Sequence, residues 1–301
     1  MTPPLPLAEA LAAALSVPGR AAIPFRDVAG DPERLVTLHC HRPASHRPAS
    51  PVVLVQHGMQ RNGAEYRDYW AEDAERFGLL VIAPTFGPEH WPTAEHYNNG
   101  MPRDDDGRLR PRHAWGFASL ARIQAALRES GLTTRPRAHL FGHSAGGQFV
   151  HRLLSTQPQD AFEAAITANP GWYTLPTLDR PYPEGLGGLG LARADLARLL
   201  AFPQLILAGD RDTDTAGPSL PMQAEAMRQG PHRFARAQFY LEFAQAEAAR
   251  YGLPCAWRLQ NVPGIGHDGA AMSRVAAALW FGGGMPDSRT IAGWASAQGA
   301  L

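Results

Sequence analysis

The sequence predicts an α/β protein built on a mostly parallel central sheet with helices on both faces. Three observations carry this expectation. From Val53 onward, short apolar runs of strand length alternate with segments of helical period. Several of those runs are apolar throughout, as in strands covered on both faces. No charge run or low-complexity linker divides the 301 residues, so one domain, 1–301, is expected.

The elements follow in chain order. The first residues, M-T-P-P-L-P-L-A-E-A-L-A-A-A-L, lack a basic start and carry Glu9 inside the apolar run, which reads as an amphipathic helix. A cytoplasmic protein is therefore expected, with secretion as the alternative. Strands are expected at 34–41 and 51–58, on either side of a tandem H-R-P-A-S repeat at 41–50. His41 and His46 of that repeat match no metal-ligand spacing and read as part of a proline-stiffened surface loop. L-L-V-I-A-P-T at 79–85 is a buried strand.

Phe117, Leu120, Ile123, Ala126 and Leu127 recur at helical spacing and predict a helix over 115–130. Strand 137–142 and helix 148–155 come next, then strands 163–169 and 204–209. A helix over 232–251, a strand at 255–262 and a helix over 270–280 complete the pattern. Two Pro/Gly-rich excursions interrupt it, at 86–114 and 175–203, and such excursions at strand ends tend to shape a ligand crevice.

Composition excludes several functions. Lys plus Arg equal Asp plus Glu at 28 each, so the chain has no basic footprint for nucleic acid. All 28 basic residues are arginine, and without lysine there is no Ser-Lys dyad, no Schiff base and no Walker A lysine. Cys40 and Cys255 are too few for a disulfide framework and read as buried, inert thiols. No apolar run approaches membrane-spanning length. The sequence leaves oligomeric state open.

The chemistry concentrates at H-L-F-G-H-S-A-G-G-Q-F-V, residues 139–150. Ser144 sits in G-x-S-x-G between an expected strand and an expected helix, the context a nucleophile elbow requires. The turn is sharp enough that bulky residues two before and two after the serine would clash. The competing reading, a plain helix cap, does not need those glycines.

A serine at its ordinary acidity is a weak nucleophile and needs a base. After an elbow the partners come in the order acid, then histidine. Q-L-I-L-A-G-D-R-D-T-D ends a strand and offers Asp210, Asp212 and Asp214; Asp212, three after Gly209, is preferred and the other two stay open. V-P-G-I-G-H-D-G supplies His267 after the last strand, whereas His151 and His232 fall on helices. The backbone N–H groups of Ala145 and Met59 are the expected oxyanion donors, Met59 because it follows the His57-Gly58 turn. Trp172 and Tyr173, after the strand that follows the elbow helix, are expected to overhang the cleft. His143 and Gln148, flanking the elbow, read as structural. Gly185 to Gly190 fits a dinucleotide-binding pattern but follows no strand, so no nucleotide is expected there. Asp104, Asp105 and Asp106 lie among arginines and read as a self-paired loop; no metal is assigned.

With these residues in order, the chain resembles the α/β-hydrolase superfamily over nearly its whole length. H-G-M-Q with F-G-H-S-A-G-G is similar to the polyhydroxybutyrate depolymerase, feruloyl esterase and polyester-hydrolase neighbourhood. The resemblance implies an eight-stranded sheet, no cofactor, and hydrolysis of small-molecule or oligomeric carboxylic esters through an acyl-enzyme. It also implies an aromatic against the acyl group, a role carried to Trp172. An amidase, peptidase or acyltransferase on the same residues is the alternative, as is a non-catalytic ligand-binding relative.

Overall fold

V-V-L-V-Q, the strand β3 (Val52–Gln56), is buried at every position, and this explains its unbroken apolar sequence. The computed structural model describes residues 5–296. Around β3 lie β1 (Gly19–Asp27), β2 (Asp31–Arg42), β4 (Leu80–Thr85), β5 (Ala138–His143), β6 (Phe162–Ala168), β7 (Gln204–Gly209) and β8 (Arg258–Val262). They form one eight-stranded sheet in the order β1-β2-β4-β3-β5-β6-β7-β8. The pairs β1/β2 and β2/β4 are antiparallel; every other pair is parallel.

The helices are α1 (Leu7–Ala14), α2 (Gly63–Tyr69), α3 (Ala71–Phe77), α4 (Ser119–Glu129), α5 (Ala145–Thr156), α6 (Arg193–Ala201), α7 (Ala224–Met227), α8 (Arg233–Tyr251), α9 (Gly269–Phe281) and α10 (Ser288–Ser296). Successive strand residues point to opposite faces, so the sheet carries two cores. Val52 and Leu54 join α1, α4, α5, α6 and α8 on one side; Val53 and Val55 join α2, α3, α9 and α10 on the other. The helical stripe read from Leu120, Ile123 and Leu127 is fully buried in the first core. Each such side chain contributes about 1.5–3 kcal/mol relative to exposure.

Three expectations are corrected here. The helix expected from 115 begins at Ser119, because Trp115 is extended and Gly116–Ala118 is a tight 3-10 turn. The last strand starts at Arg258, since residues before it cross back to α6: Ala256 N–H donates to Leu200 O and the Trp257 indole N–H to Leu199 O. The 175–203 excursion contains α6, whose Leu196, Leu199 and Leu200 are buried.

Strand β1, not anticipated from sequence, alternates buried and exposed residues and contains Pro24, as an edge strand tolerates. In the repeat, His41 Nε2 lies 2.9 Å from Glu75 and His46 Nε2 2.9 Å from Leu132 O. No helix among the described residues is long and apolar enough to cross a membrane.

Neither cysteine is in a disulfide. Cys40 on β2 is fully buried, and burial pushes its thiol up to about 12, whereas Cys255 is half-buried. The native protein is therefore expected to titrate one thiol with a chromogenic disulfide reagent and the second only in denaturant. Two rapid equivalents without denaturant would contradict the packing of β2.

Candidate active site

The loops at the carboxyl ends of β3, β5, β7 and β8 bring the candidate residues together. Between β5 and α5, Ser144 has φ 57° and ψ −121°, a backbone strain of about 1–3 kcal/mol. Its side chain caps nothing at the helix start, so the capping reading does not describe it. The flanking glycines have no room for a methyl group. A Cβ on Gly142 would lie 2.2 Å from Gly146 O, and one on Gly146 would lie 2.1 Å from Gln56 O. Gly146→Ala is thus expected to lower stability by at least about 1–3 kcal/mol, read as a shifted urea midpoint; an unchanged midpoint would mean that this turn does not press against β3.

Ser144 Oγ stands 3.0 Å from His267 Nε2, and His267 Nδ1 stands 2.7 Å from Asp212 Oδ2. An ionised carboxylate only accepts, so Nδ1 carries the proton and Nε2 presents its lone pair to the serine hydroxyl. Asp212 is the acid that the structure brings to His267. Asp210 instead accepts the Gly264 N–H at 2.7 Å, tying its loop to the histidine loop, and Asp214 accepts the Ala216 N–H within its own turn.

Two partners that the sequence reading missed hold this set. Arg233, buried at the start of α8, lies 3.5 Å from the other oxygen of Asp212 and donates to Ser219 O and Oγ. It supplies the counter-charge that a buried carboxylate requires. Asn169 accepts the Gly209 N–H and donates to Gly266 O, each at 2.9 Å, bracing the end of β7 against the loop that carries His267. The partners of Arg233 and of Asn169 are distant in the chain, and nothing local in the sequence announces them.

The loop after β3 passes close to the serine, since a Cβ on Gly58 would lie 3.7 Å from Ser144 Cβ. His57 is wholly buried, and that burial pushes it down to about 3, so it is neutral. Its Nε2 accepts the Phe86 N–H, so Nδ1 donates to Gly58 O at 2.8 Å. In a trans peptide the next N–H points the opposite way, and the orientation of Met59 N–H is pinned accordingly. The Ala145 N–H opens α5 as one of the donors that a helix start leaves unpaired.

His143 lies between Tyr66 Oη, 2.8 Å from its Nδ1, and the ring of His267, with centroids 4.6 Å apart. Burial, with His267 and Arg233 nearby, holds it well below the ordinary histidine range.

Ser144 sits where two clefts meet. The larger, of about 740 Å³, includes Met59, Asn98, Gln148, Trp172 and Leu220 in its wall. The smaller, of about 460 Å³, is walled by Gln60, Tyr66, Tyr69, His143 and His267. Trp172 thus stands where the sequence put it. Tyr173 does not: it is fully buried, stacks on Tyr240 at 4.1 Å and faces neither cleft. Of the two rings only Trp172 lines a cleft, although it too is largely buried. Gln148, read as structural, lines the larger cleft beside the serine. No group of three or more metal-ligating side chains is assembled among the described residues.

Comparison with known proteins adds a second line. The chain is similar to LpqC, a poly(3-hydroxybutyrate) depolymerase from Bordetella parapertussis, with 52% identity and a TM-score of 0.95 over 97% of this chain and 99% of that one. It is similar to poly(aspartic acid) hydrolase-1 from Sphingomonas sp. KT-1, with 35% identity and a TM-score of 0.83 over 87% and 98%. An S-formylglutathione hydrolase from Agrobacterium tumefaciens, 17% identical over 89% of this chain and 95% of that one, shares the fold with a TM-score of 0.54. No protein-family model matches the chain, and no curated protein does.

Proposed function

The chain belongs to the α/β-hydrolase superfamily, in the poly(3-hydroxybutyrate) depolymerase neighbourhood, and from that premise we propose that it hydrolyses carboxylic esters through Ser144, His267 and Asp212. The observation that carries the reading is the hydrogen-bonded line from Asp212 through His267 to Ser144 at the meeting of two clefts.

In the first step His267 Nε2 takes the Ser144 proton as Oγ bonds to the ester carbonyl carbon. The carbonyl oxygen becomes the oxyanion, received by the N–H groups of Ala145 and Met59. Asp212 orients the imidazole and stabilises its charged form. The tetrahedral intermediate collapses as the C–O bond to the alcohol breaks, and the alcohol oxygen takes the proton from Nε2. Water then repeats the sequence on the acyl-enzyme, with His267 as base again, and releases the acid.

The direction of the substrate follows from the proton. The leaving oxygen must meet His267, which walls only the smaller cleft, so the alcohol departs there and the acyl part fills the larger one. Trp172 then lies against the acyl part. A space of about 740 Å³ suits an acyl group of more than one unit, and an oligomeric hydroxyacid ester is the substrate class we favour.

A second reading, amide hydrolysis, draws on the likeness to the poly(aspartic acid) hydrolase. Against it, the described residues walling the two clefts include Glu184, Glu225 and Asp268 and no arginine, a poor lining for a densely anionic chain. Hydrolysis of p-nitrophenyl esters from acetate to dodecanoate, beside matched anilides, decides between them. Esters alone should be cleaved; faster anilide cleavage would favour the amide reading, and inertness to both would overturn hydrolase function.

A further inference from the structure

Beneath the larger cleft lies a buried arginine. Arg152, on α5, is fully buried, and its hydrogen-bond partners among the described residues are all neutral groups. Its Nε donates to Thr174 Oγ1 at 2.8 Å; its Nη1 faces Asn99 Oδ1 at 2.8 Å, Asn98 O at 3.0 Å and Gln148 Oε1 at 3.1 Å. Nη2 is buried without an acceptor, and the guanidinium lies 5.2 Å behind the Trp172 ring. The nearest compensating charge is Glu95, reached through Asn99, whose Nδ2 donates to Glu95 Oε2 at 2.8 Å, so the guanidinium is held mainly by neutral oxygens that it polarises.

The best placed is Gln148. A guanidinium only donates, so the Gln148 atom facing Arg152 must be the amide oxygen. That oxygen also accepts from Asn98 Nδ2 at 2.9 Å. Two donors therefore lock the amide, and its Nε2, with two N–H bonds, has no protein acceptor among the described residues. Nε2 stands beside Gly171, where a Cβ would lie 2.7 Å from it, so the glycine leaves space for the amide next to Trp172. Gln148 lines the cleft that holds Ser144. Arg152 pulls electron density from the shared oxygen and makes Nε2–H a stronger donor, because hydrogen bonds in series reinforce one another.

We propose that Gln148 determines acyl specificity by donating from Nε2 to a second carbonyl oxygen on the acyl part, that of the next unit in an oligoester. The inference rests on the ester-hydrolase reading above and extends it to what the acyl group must carry. The arrangement recognises an acceptor in the acyl chain, not chain length alone.

The test compares p-nitrophenyl 3-acetoxybutanoate with p-nitrophenyl 3-ethoxybutanoate, equal in length and differing by one carbonyl oxygen. Wild type is expected to favour the acetoxy ester in kcat/KM by roughly five- to tenfold, the worth of one polarised hydrogen bond. Gln148→Glu keeps an oxygen for Asn98 and Arg152 but replaces the donor with a second acceptor. The ratio should then fall to about one or below. A thermal melt of the variant establishes that it is folded, and a merely structural role for Gln148 would change both rates alike and leave the ratio standing.

A third substrate of similar length, ending in a carboxylate, separates the two sources of an acceptor oxygen. A larger gain there than with the acetoxy ester would overturn the oligoester assignment. Equal wild-type rates on the first pair, or an unchanged ratio in Gln148→Glu, would overturn the inference while ester hydrolysis stands. No p-nitrophenolate from any ester would instead remove the functional reading beneath it.

Discussion

Replacing Ser144 by alanine is expected to lower kcat for p-nitrophenyl butanoate by roughly 10⁵–10⁶, leaving only what the oxyanion donors and binding provide. In the proposed mechanism the hydroxyl is the atom that bonds to the carbonyl carbon, and no other described hydroxyl sits against His267 Nε2 in its place. Folding should be undisturbed or slightly favoured. Alanine fits wherever serine does, the Ser144 side chain caps no helix N–H, and the strained φ of 57° persists in both. Purified variant and wild type, compared by burst kinetics and by melting, give the two readouts. Hydrolysis within tenfold of wild type would mean that the elbow serine is not the nucleophile, whatever its geometry.

Asp212→Asn should be nearly as severe for a different reason. The asparagine amide would turn its NH2 toward His267 Nδ1, and a donor there favours the tautomer with its proton on Nε2, the wrong nitrogen for a base. A loss of roughly 10⁴ in kcat follows from that geometry. The same change removes the charge opposite buried Arg233. Stability should fall by about 3 kcal/mol, the lower end for a broken buried pair, because Arg233 keeps both Ser219 acceptors. Asp210→Asn and Asp214→Asn should stay within about tenfold of wild type, since asparagine retains the oxygen that accepts Gly264 N–H or Ala216 N–H. A severe loss in either of these with normal activity in Asp212→Asn would transfer the acid role.

The reading of Asp212 from sequence rested on its position three residues past Gly209; the structure adds that Gly209 N–H is held by Asn169 and that Arg233 waits at the far oxygen. Neither partner could be read from spacing, because they lie on β6's exit loop and on α8. His57 shows the same limit. Its pair with Gly58 marks a strand-ending turn in sequence, but only the packed structure reveals that Phe86 N–H on the ring fixes the tautomer and with it the peptide of Met59. Tyr173 departs from the expectation because a Trp-Tyr pair gives no local signal of which ring turns inward. Tyr240, 67 positions on, decides it by stacking.

What the sequence determined by itself were the features with a short physical range. Apolar period set β3 and α4, glycine size set the elbow at Gly142 and Gly146, and chain order set Ser144, an acid after β7 and His267. Each depends on sterics or hydrophobic pattern within one element or one turn, and those leave a mark in adjacent letters. What only the tertiary structure decided were pairings across the fold: Arg233 on Asp212, Asn169 between two loops, Arg152 and Asn98 on Gln148. A hydrogen bond or a buried charge is satisfied by whichever group folding brings within 3 Å or so, and many residue types at many separations can satisfy it. Chemistry of that kind is specified in space, and a linear pattern does not contain it.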